Sequence, residues 1–344
     1  MKNLGIILSL IVFMLMSVMT LFSIGKQELF MKQFGFWIAS FVILLSSMWV
    51  RYQNLMRPPY SIIFFSILGF FFVFNLLLPN KSWITVGPLS IQPSEFGRIA
   101  LVMLLAMFFS KFSERLEGRG QFYVWLSLVS IAPLLFAVVI QPDMGMTVLY
   151  LLTWFFGLLN FISFKKFLSM CGIFLLLFVV MWFLVLKPYQ KDRILAIAVP
   201  DRDPLGAGYN LTQMKIAVGS AGFLGKGFGQ GTQARLGFLP EAHSDFLLAS
   251  FLEEWGFLGF LIFSFTMCVF LVSVAKENSF FADHLSQSFG IIMLIQFAIR
   301  FTFTMAMNLG VAPIIGLPTP FFSYGGSHLL ADALMLAVWN SGRV

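Results

Sequence analysis

Charged side chains are scarce along this chain. Aspartate and glutamate together number 15 in 344 residues, there are 3 histidines and 2 cysteines, and charged residues make up 11% of the sequence. A soluble domain with this composition would expose far too much apolar surface, which excludes a soluble globular protein. Cys171 and Cys268 both lie within apolar runs, so neither indicates a disulfide or a metal framework.

Apolar sequence is abundant instead. Hydrophobic residues make up 59% of the chain, and the mean hydropathy is +0.90. The apolar runs reach about 17–25 residues, which is long enough to cross a bilayer as helices. We therefore predict an all-α polytopic membrane protein, one membrane domain over residues 1–344 with about ten transmembrane helices. The predicted spans are 4–24, 30–50, 60–78, 96–110, 122–141, 146–163, 167–186, 246–275, 286–309 and 327–341.

Two features of these runs bear on topology. The first run lacks a small-x-small cleavage site, so it is expected to be a retained helix. Alternate loops and the two termini carry much of the positive charge, at Lys2, Arg51, Arg57, Lys111, Arg115, Arg119, Lys165, Lys166, Lys276 and Arg343. By the positive-inside rule these loops and both termini are cytoplasmic, and the net charge of +7 reflects topology instead of nucleic-acid binding.

The unusual polar sequences all fall on the predicted external side. They are KSWITVGPLSIQPSEFGR (81–98), QPDMG (141–145), GLPTPFFSYGGS (316–327) and a large loop at about 187–245, between the seventh and eighth helices. An amphipathic segment at the membrane surface and glycine-rich turns are expected within that loop. This distribution predicts one functional face, suited to an amphiphilic, anionic substrate.

Nucleotide chemistry has no signature here. The chain contains no P-loop and no Rossmann glycine fingerprint, so no nucleotide cofactor is expected. The energy for any reaction must then come from the substrate itself or from an ion gradient.

Asp245 is the strongest catalytic candidate. It lies in LPEAHSDF, directly before the eighth apolar run. A carboxylate that is partly desolvated at a membrane boundary can act as a general base, whereas an aspartate at a helix start can equally be an ordinary N-cap. Glu241 would share the face of Asp245 on a helix, with His243 between them. A metal site formed by these three residues is a further possibility.

Other ionisable residues lie within or beside the apolar runs. Glu253 and Glu254 fall inside the eighth span, where such residues usually face a cavity or a partner; a tilted helix that holds the pair near the interface is the alternative. Arg300 lies in the ninth span, and either Asp332 or a lipid phosphate is its expected partner. No role is assigned to His328.

Two polar motifs each allow a structural and a functional interpretation. Glu95 and Arg98 are spaced i, i+3 at the start of the fourth span, where they can pair and where Pro-Ser-Glu is typical of a helix start. Arg98 can instead bind a phosphate through its guanidinium group. Asp143 in QPDMG fits a tight turn without any chemistry, and it is also a candidate for the site.

The polar motifs together resemble one protein family. QPSE (92–95), QPDMG (141–145), DPLGAGYN (203–210), IAVGSAGFLGKGFGQGTQ (216–233), LPEAHSDF (239–246) and PFFSYGGS (320–327) occur in this order along the chain. They resemble the shape, elongation, division and sporulation (SEDS) family of bacterial cell-wall synthesis, and the ten-span topology fits. The GKG and GTQ elements are more similar to the RodA branch than to the FtsW branch.

The resemblance implies a peptidoglycan glycosyltransferase that polymerises lipid II at the outer face of the bacterial cytoplasmic membrane, for cell elongation and rod shape. It implies that Asp245 is the essential residue and general base. The resemblance carries over Glu95 and the basic position of Arg98 as supporting residues. Further candidates from the polar motifs are Lys81, Asp143, Glu241, His243 and Ser323. A divalent cation, Mg or Mn, is a candidate cofactor, with Glu95 as a candidate ligand. The expected partners are the nascent glycan strand, a class B penicillin-binding protein, which is a transpeptidase, and the elongation machinery.

Four residues depart from the family pattern. Arg98 stands where lysine is usual, Ala221 where glycine is usual, Ser244 where threonine is usual, and His328 where a small residue is usual.

Two other functions are compatible with the sequence. A lipid II flippase would need a polar path and functional residues on both faces, whereas these residues cluster on one. A non-catalytic scaffold for the transpeptidase would leave Asp245 replaceable.

Overall fold

The fold is a bundle of helices. The computed structural model describes residues 4–77, 82–86, 89–112, 120–141, 143–160, 163–184, 186–200, 203 and 206–342. The α-helices in these ranges are α1 Leu4–Ser23, α2 Gln27–Ser46, α3 Tyr60–Leu76, α4 Pro93–Phe112, α5 Gly120–Ile140, α6 Met144–Gly157, α7 Phe164–Leu184, α8 Pro188–Leu195, α9 Ala207–Gly219, α10 Thr232–Arg235, α11 Leu247–Asn278, α12 His284–Asn308 and α13 Gly326–Ser341. One antiparallel hairpin joins β1 Ile84–Val86 to β2 Leu89–Ile91, with Thr85 opposite Ser90.

Each predicted span coincides with one long helix: α1 to α7, then α11, α12 and α13. Within the described residues, five helices, α1, α2, α4, α11 and α12, are long and apolar enough to cross a membrane, and shorter apolar helices lie in α3, α5 and α6. The chain is therefore an all-α, multi-pass membrane protein. The number of crossings, the orientation of the termini and the extent of the domain stay predictions.

The most buried helices lie at the centre of the bundle. α13 packs against α2, and α4 packs against α12, which also contacts α11 and α6. In an 18-residue apolar segment of α4, 78% of the residues are buried inside the protein. In the corresponding segment of α2 the buried share is 22%. The lipid-facing helices need few buried residues because lipid tails solvate their apolar side chains. Four buried phenylalanines, Phe13, Phe263, Phe270 and Phe301, form aromatic contacts between α1, α11 and α12.

The helix α11 is broken at Gly256. This glycine has φ 62° and ψ −155°, which no helix allows. The amides of Lys226 and Gly227 donate to the carbonyls of Glu253 and Glu254 before the break. The amides of 257 and 258 donate to the carbonyls of 222 and 223. The glycine-rich loop thus satisfies the backbone groups that the break leaves free, as an irregular segment in a membrane protein requires.

The break changes the interpretation of the eighth span. Segment 247–255 precedes it, and segment 257–278 is about 33 Å long at 1.5 Å per residue, enough for a bilayer core. The long run is therefore two helical pieces and not one tilted helix. The predicted large loop contains α8, α9 and α10. Helix α9 overlaps the stretch in which an amphipathic surface segment was expected, and it packs against α11.

Candidate active site

A cavity of about 940 Å³ opens at one end of the bundle. Its wall is formed by α2, α8, the β-hairpin, the starts of α4 and α6, the turn before α11 and the segment that leads into α13. Five of the residues selected from the sequence line it: Glu95, Asp143, Glu241, His243 and Asp245. Polar motifs that are far apart in the chain therefore meet at one site.

Asp245 lies in the turn that leads into α11 and lines the cavity beside Gly316. Burial raises the pKa of its carboxyl group to about 6; Glu241 and Asp143 add to the rise, while Arg193 opposes it. The interpretation of Asp245 as an ordinary N-cap is wrong, because the N-cap residue is Phe246 and no side-chain cap hydrogen bond is made there. At neutral pH this carboxylate is mostly ionised yet retains appreciable proton affinity, as a general base requires.

Asp143 is both a helix cap and a cavity residue. It is the N-cap of α6, where its Oδ1 accepts from the Met146 amide at 3.0 Å. Its Oδ2 accepts from Gln92 Nε2 at 2.7 Å and Ser94 Oγ at 3.2 Å. Burial raises the pKa of Asp143, and the negative charge of Glu95 adds to this effect. The structural and functional interpretations of this residue are therefore compatible.

Arg98 does not line the cavity. It is fully buried, and its Nε contacts Glu95 Oε2 at 2.6 Å, so the predicted i, i+3 pair is present. Its guanidinium also forms an ion pair with Asp332 and donates to the His328 carbonyl at 3.0 Å. The expectation that Arg98 binds a substrate phosphate is corrected, because its donors are directed into the protein.

Asp332 joins two arginines inside the bundle. Besides Arg98 it pairs with Arg300, whose Nη1 lies 2.6 Å from Asp332 Oδ1, as one of the two interpretations of Arg300 predicted. Arg300 also donates to the Pro318 carbonyl at 3.0 Å. Together with Glu95 these residues form a buried network with two charges of each sign, so the network has no net charge and fixes the position of Glu95 at the cavity wall.

His328 adjoins this network and lines the cavity. Its side chain is 5% exposed, and neither ring nitrogen has a hydrogen-bond partner among the residues that the structure describes. The histidine that departs from the family pattern thus adds a polar ring to the cavity wall.

In the described part of the chain, the cations that line the cavity are Lys32 of α2 and Arg193 of α8. The sequence analysis selected neither residue. Lys32 falls inside the predicted second span, and an ionisable residue in an apolar run is a signal for function that could have found it. Arg193 gave no comparable signal, because its position over the cavity depends on how α8 folds back.

Glu241 and His243 belong to the turn that carries Asp245. Glu241 accepts from Ser244 Oγ at 2.8 Å and lies 3.7 Å from His243 Nε2. The His243 ring packs against Tyr324 at 5.8 Å, and the Tyr324 amide donates to the His243 carbonyl. Burial and the positive charge of Lys26 lower the pKa of His243, although Glu241 opposes this shift. His243 is therefore neutral at neutral pH.

Metal-ligating side chains are dispersed in the described part of the chain. Within it, no three His, Cys, Asp or Glu residues lie close enough to hold a metal ion. The Glu241, His243 and Asp245 trio therefore does not form a metal site, and Glu95 is already paired with Arg98.

One predicted site residue, Ser323, lies behind the cavity instead of on its wall. Ser323 is fully buried, and its Oγ accepts from the Thr319 amide at 2.9 Å, so it stabilises the loop behind the cavity and does not contact a ligand there. Its type and motif gave no means of distinguishing these roles. Lys81 lies outside the described residues.

Glu253 and Glu254 face protein and not lipid, as expected for acids within an apolar run. Glu253 is fully buried and accepts from Lys226 Nζ at 2.6 Å, from the Thr232 amide at 2.9 Å and from Thr232 Oγ1 at 3.0 Å. The Gln233 amide also donates to it. These acids connect the first segment of α11 to the glycine-rich loop, away from the cavity wall.

The fold and the site together define a class: a polytopic helical membrane protein with an acid-lined cavity at one end of its bundle. The chain belongs to the cell cycle protein family of FtsW, RodA and SpoVE, whose family model matches residues 1–340. The resemblance inferred from the motifs is thus confirmed.

Named relatives and solved structures agree with this membership. The chain is 34% identical to the peptidoglycan glycosyltransferase MrdB of Escherichia coli (strain K12) over 259 residues, which cover 73% of this chain and 67% of that protein. It is 31% identical over 327 residues to a probable peptidoglycan glycosyltransferase FtsW of Buchnera aphidicola subsp. Baizongia pistaciae, covering 92% of this chain and 83% of that protein.

The fold is similar to two solved structures. One is the rod shape determining protein RodA of Thermus thermophilus, with a TM-score of 0.68 at 19% identity over 98% of this chain and 96% of that one. The other comes from work on the structural coordination of polymerization and crosslinking by a peptidoglycan synthase complex, with a TM-score of 0.80 at 22% identity over 98% and 97%.

Proposed function

We propose that this chain is a peptidoglycan glycosyltransferase that polymerises lipid II into glycan strands for cell elongation. The relatives in its family carry that activity in their names. The observation that carries the proposal is Asp245, a carboxylate with a pKa near 6 on the wall of a cavity that also presents two cations. No nucleotide is needed, because the polyprenyl diphosphate of the substrate is already an activated leaving group.

In the proposed reaction Asp245 removes the proton from a sugar hydroxyl of the acceptor. The hydroxyl oxygen then forms a bond to the anomeric carbon of the donor, and the bond from that carbon to the diphosphate oxygen breaks. The proton resides on Asp245, and polyprenyl diphosphate leaves with the electron pair. A base with a pKa just below neutral pH combines the ionised form with useful proton affinity.

Lys32 and Arg193 are the proposed stabilisers of the leaving diphosphate. Negative charge builds on its oxygens as the bond breaks, and fixed cations in a partly dehydrated cavity lower the energy of that state. They take the phosphate-binding role that was expected of Arg98, whereas Lys81 stays a candidate outside the described residues. A bound divalent cation would supply the same kind of stabilisation, but the described residues do not form a site for it alone, so magnesium or manganese stays a prediction.

The same proposal includes a location and a partner. The cavity is formed at the starts of α4, α6, α11 and α13, which the positive-inside rule puts on the external side of the bacterial cytoplasmic membrane. Lipid II would then bind from the outer leaflet, with both chain termini in the cytoplasm. A class B penicillin-binding protein is the proposed partner, in keeping with the similarity to a structure from work on a synthase complex.

The test is polymerisation of labelled lipid II by purified protein together with its cognate transpeptidase. Wild type, Asp245→Asn and Asp283→Asn would be compared on gels, with and without divalent cations. Asp283 is a matched control, because it caps α12 by accepting from the amide and the hydroxyl of Ser286 and does not line the cavity. We expect glycan ladders from wild type and Asp283→Asn and none from Asp245→Asn.

Other outcomes would contradict the proposal in different ways. Equal ladders from all three proteins would remove Asp245 from the mechanism. No ladder from any of them, with labelled lipid II moving between leaflets of a vesicle, would favour the flippase. Retained binding of the transpeptidase without polymerisation by wild type would favour the scaffold.

A further inference from the structure

The first turn of α11 obtains its cap from another helix. The N-cap residue Phe246 makes no side-chain cap bond, and the first amides of a helix have no partner within it. Asn308, the last residue of α12, supplies one: its Oδ1 accepts from the Ala249 amide at 2.9 Å. Ala249 is the third residue of α11, which is where an N-cap side chain would normally bind.

The same amide group also contacts Asp245. Asn308 Nδ2 donates to the Asp245 carbonyl at 3.1 Å and to the Thr304 carbonyl at 2.9 Å. Asn308 is fully buried, and both Nδ2 protons and Oδ1 have partners. It therefore joins the end of α12 to the backbone on both sides of the junction between Asp245 and α11.

We propose that Asn308 is a positioning residue for Asp245, an inference that rests on the proposed glycosyltransferase function. Only a primary amide offers an acceptor to Ala249 and two donors to carbonyls from one short side chain. Aspartate retains the acceptor but loses the donors, and leucine of similar size loses both. Small errors in the position of a general base are costly, because proton transfer needs hydrogen-bond distance in the transition state.

Several charged groups face Asp245 and would respond to a shift in its position. They are Glu241 on its own turn, Arg193 on α8 and Asp143 at the start of α6, with Lys32, Glu95 and His243 along the same cavity wall. Asn308 acts on the backbone, so its loss would alter the distances from Asp245 to this set without removing any of its members. This predicts a change in the pH dependence of the reaction as well as in its rate.

The chain offers a matched control at the other end of α11. Asn278 is also buried, and it also accepts one hydrogen bond, from Trp339 Nε1 at 3.0 Å, and donates one, to the Gln287 carbonyl at 3.0 Å. It contacts neither Asp245 nor the cavity wall. If both asparagines only stabilised the fold, replacing either one would have the same kind of effect. The proposal instead predicts a change in the reaction for Asn308 and none for Asn278.

The experiment compares Asn308→Asp, Asn308→Leu and Asn278→Asp with wild type in the lipid II assay over a range of pH. We expect both Asn308 variants to lose about 100-fold in kcat. We expect Asn308→Asp to move the acidic limb of the profile to higher pH, because a carboxylate now adjoins Asp245. Asn278→Asp should keep the wild-type pH profile even if it melts at a lower temperature.

Hydrogen exchange gives a second readout that does not depend on activity. Faster exchange in the peptide 244–252 is expected for Asn308→Leu, since the Ala249 amide loses its acceptor. If that variant does not fold, Asn308→Asp alone decides the kinetic question. Wild-type kcat and pH profile in the folded Asn308 variants would overturn the inference while leaving the proposed function intact. An inactive wild type would instead overturn the proposed function.

Discussion

Asp245 and Glu253 lie only eight residues apart, yet their environments are opposite. Glu253 is fully buried and saturated by hydrogen bonds from Lys226, Thr232 and Gln233. Asp245 faces a cavity, and among the described residues none donates a hydrogen bond to its carboxylate. A saturated carboxylate stabilises the fold, whereas an unsaturated one beside a cavity remains available to a ligand. The comparison shows why burial alone does not identify a catalytic acid.

The two arginines of the site repeat this contrast. Arg98 is enclosed by Glu95, Asp332 and the His328 carbonyl, while Arg193 lies on the cavity wall. Arg98 belongs to a motif and Arg193 to an unremarkable stretch of loop. Membership in a motif therefore does not show what an arginine does. The direction of the side chain shows whether an arginine stabilises the fold or can contact a ligand in the cavity.

The largest effect on rate is expected from Asp245→Asn. Loss of a general base costs about 1,000-fold, while the neutral amide removes the cost of burying a charge, so thermal stability should not fall. Polymerisation rates and a melting curve in detergent would check both. Polymerisation by Asp245→Asn at the wild-type rate would show that Asp245, like Glu253, is not needed for the reaction.

The next largest effect distinguishes the two arginines. Arg193→Met should lower kcat/KM by about 100-fold through lost stabilisation of the diphosphate, with an unchanged melting temperature. Arg98→Met removes a positive charge from beside the buried carboxylates of Glu95 and Asp332, so it should destabilise the protein by about 3–5 kcal/mol. Steady-state kinetics and melting curves on both variants are the measurement. The reverse pattern would return the phosphate-binding role to Arg98.

Lowering the pH to one unit below the pKa of Asp245 is expected to reduce the polymerisation rate by a smaller factor than these substitutions. Polymerisation requires ionised Asp245, so the rate should rise with pH through about 6 and level off above neutral pH. At one pH unit below the pKa, about one tenth of the carboxyl groups remain ionised. Arg193 lowers this pKa, so in Arg193→Met the limb should move to higher pH. A rate that is flat from pH 5 to 7 in a folded preparation would argue against Asp245 as the base.

The smallest effect on rate is expected from Glu253→Gln. This change removes the ion pair with Lys226 but keeps an acceptor for the amides of Thr232 and Gln233, so stability should fall by about 1–3 kcal/mol. Glu28→Gln is the matched control, because Glu28 is exposed. Melting curves and initial rates would be compared. A loss of rate as large as that of Asp245→Asn, in folded protein, would mean that the two acids act together.

Much of the fold was predictable because membrane insertion imposes simple rules. Apolar runs of sufficient length must be helices in lipid, since no other local structure satisfies its own backbone. That requirement located each long helix to within a few residues. The break at Gly256 was not predictable, because apolar sequence continues on both sides of Glu253–Gly256 and the compensating bonds come from residues 222–227.

The candidate site was predictable in part for a similar reason. Polar residues are costly near lipid, so the few acids in loops and at helix starts carried a strong signal, and Glu95, Asp143 and Asp245 do meet. Asn308 carried no such signal. An asparagine at a helix end is unremarkable in sequence, and its partners Ala249 and Asp245 belong to α11 and to the turn before it.

The sequence by itself determined the class, the helices and the family, because each depends on local composition or on short motifs in a fixed order. Only the tertiary structure decided that Arg98 is internal, that Lys32 and Arg193 reach the cavity, and that Asp245 has a raised pKa. The physical reason is that hydropathy and helix length are sums over neighbouring residues. Pairing, burial and proton affinity depend instead on groups that packing brings together from distant parts of the chain.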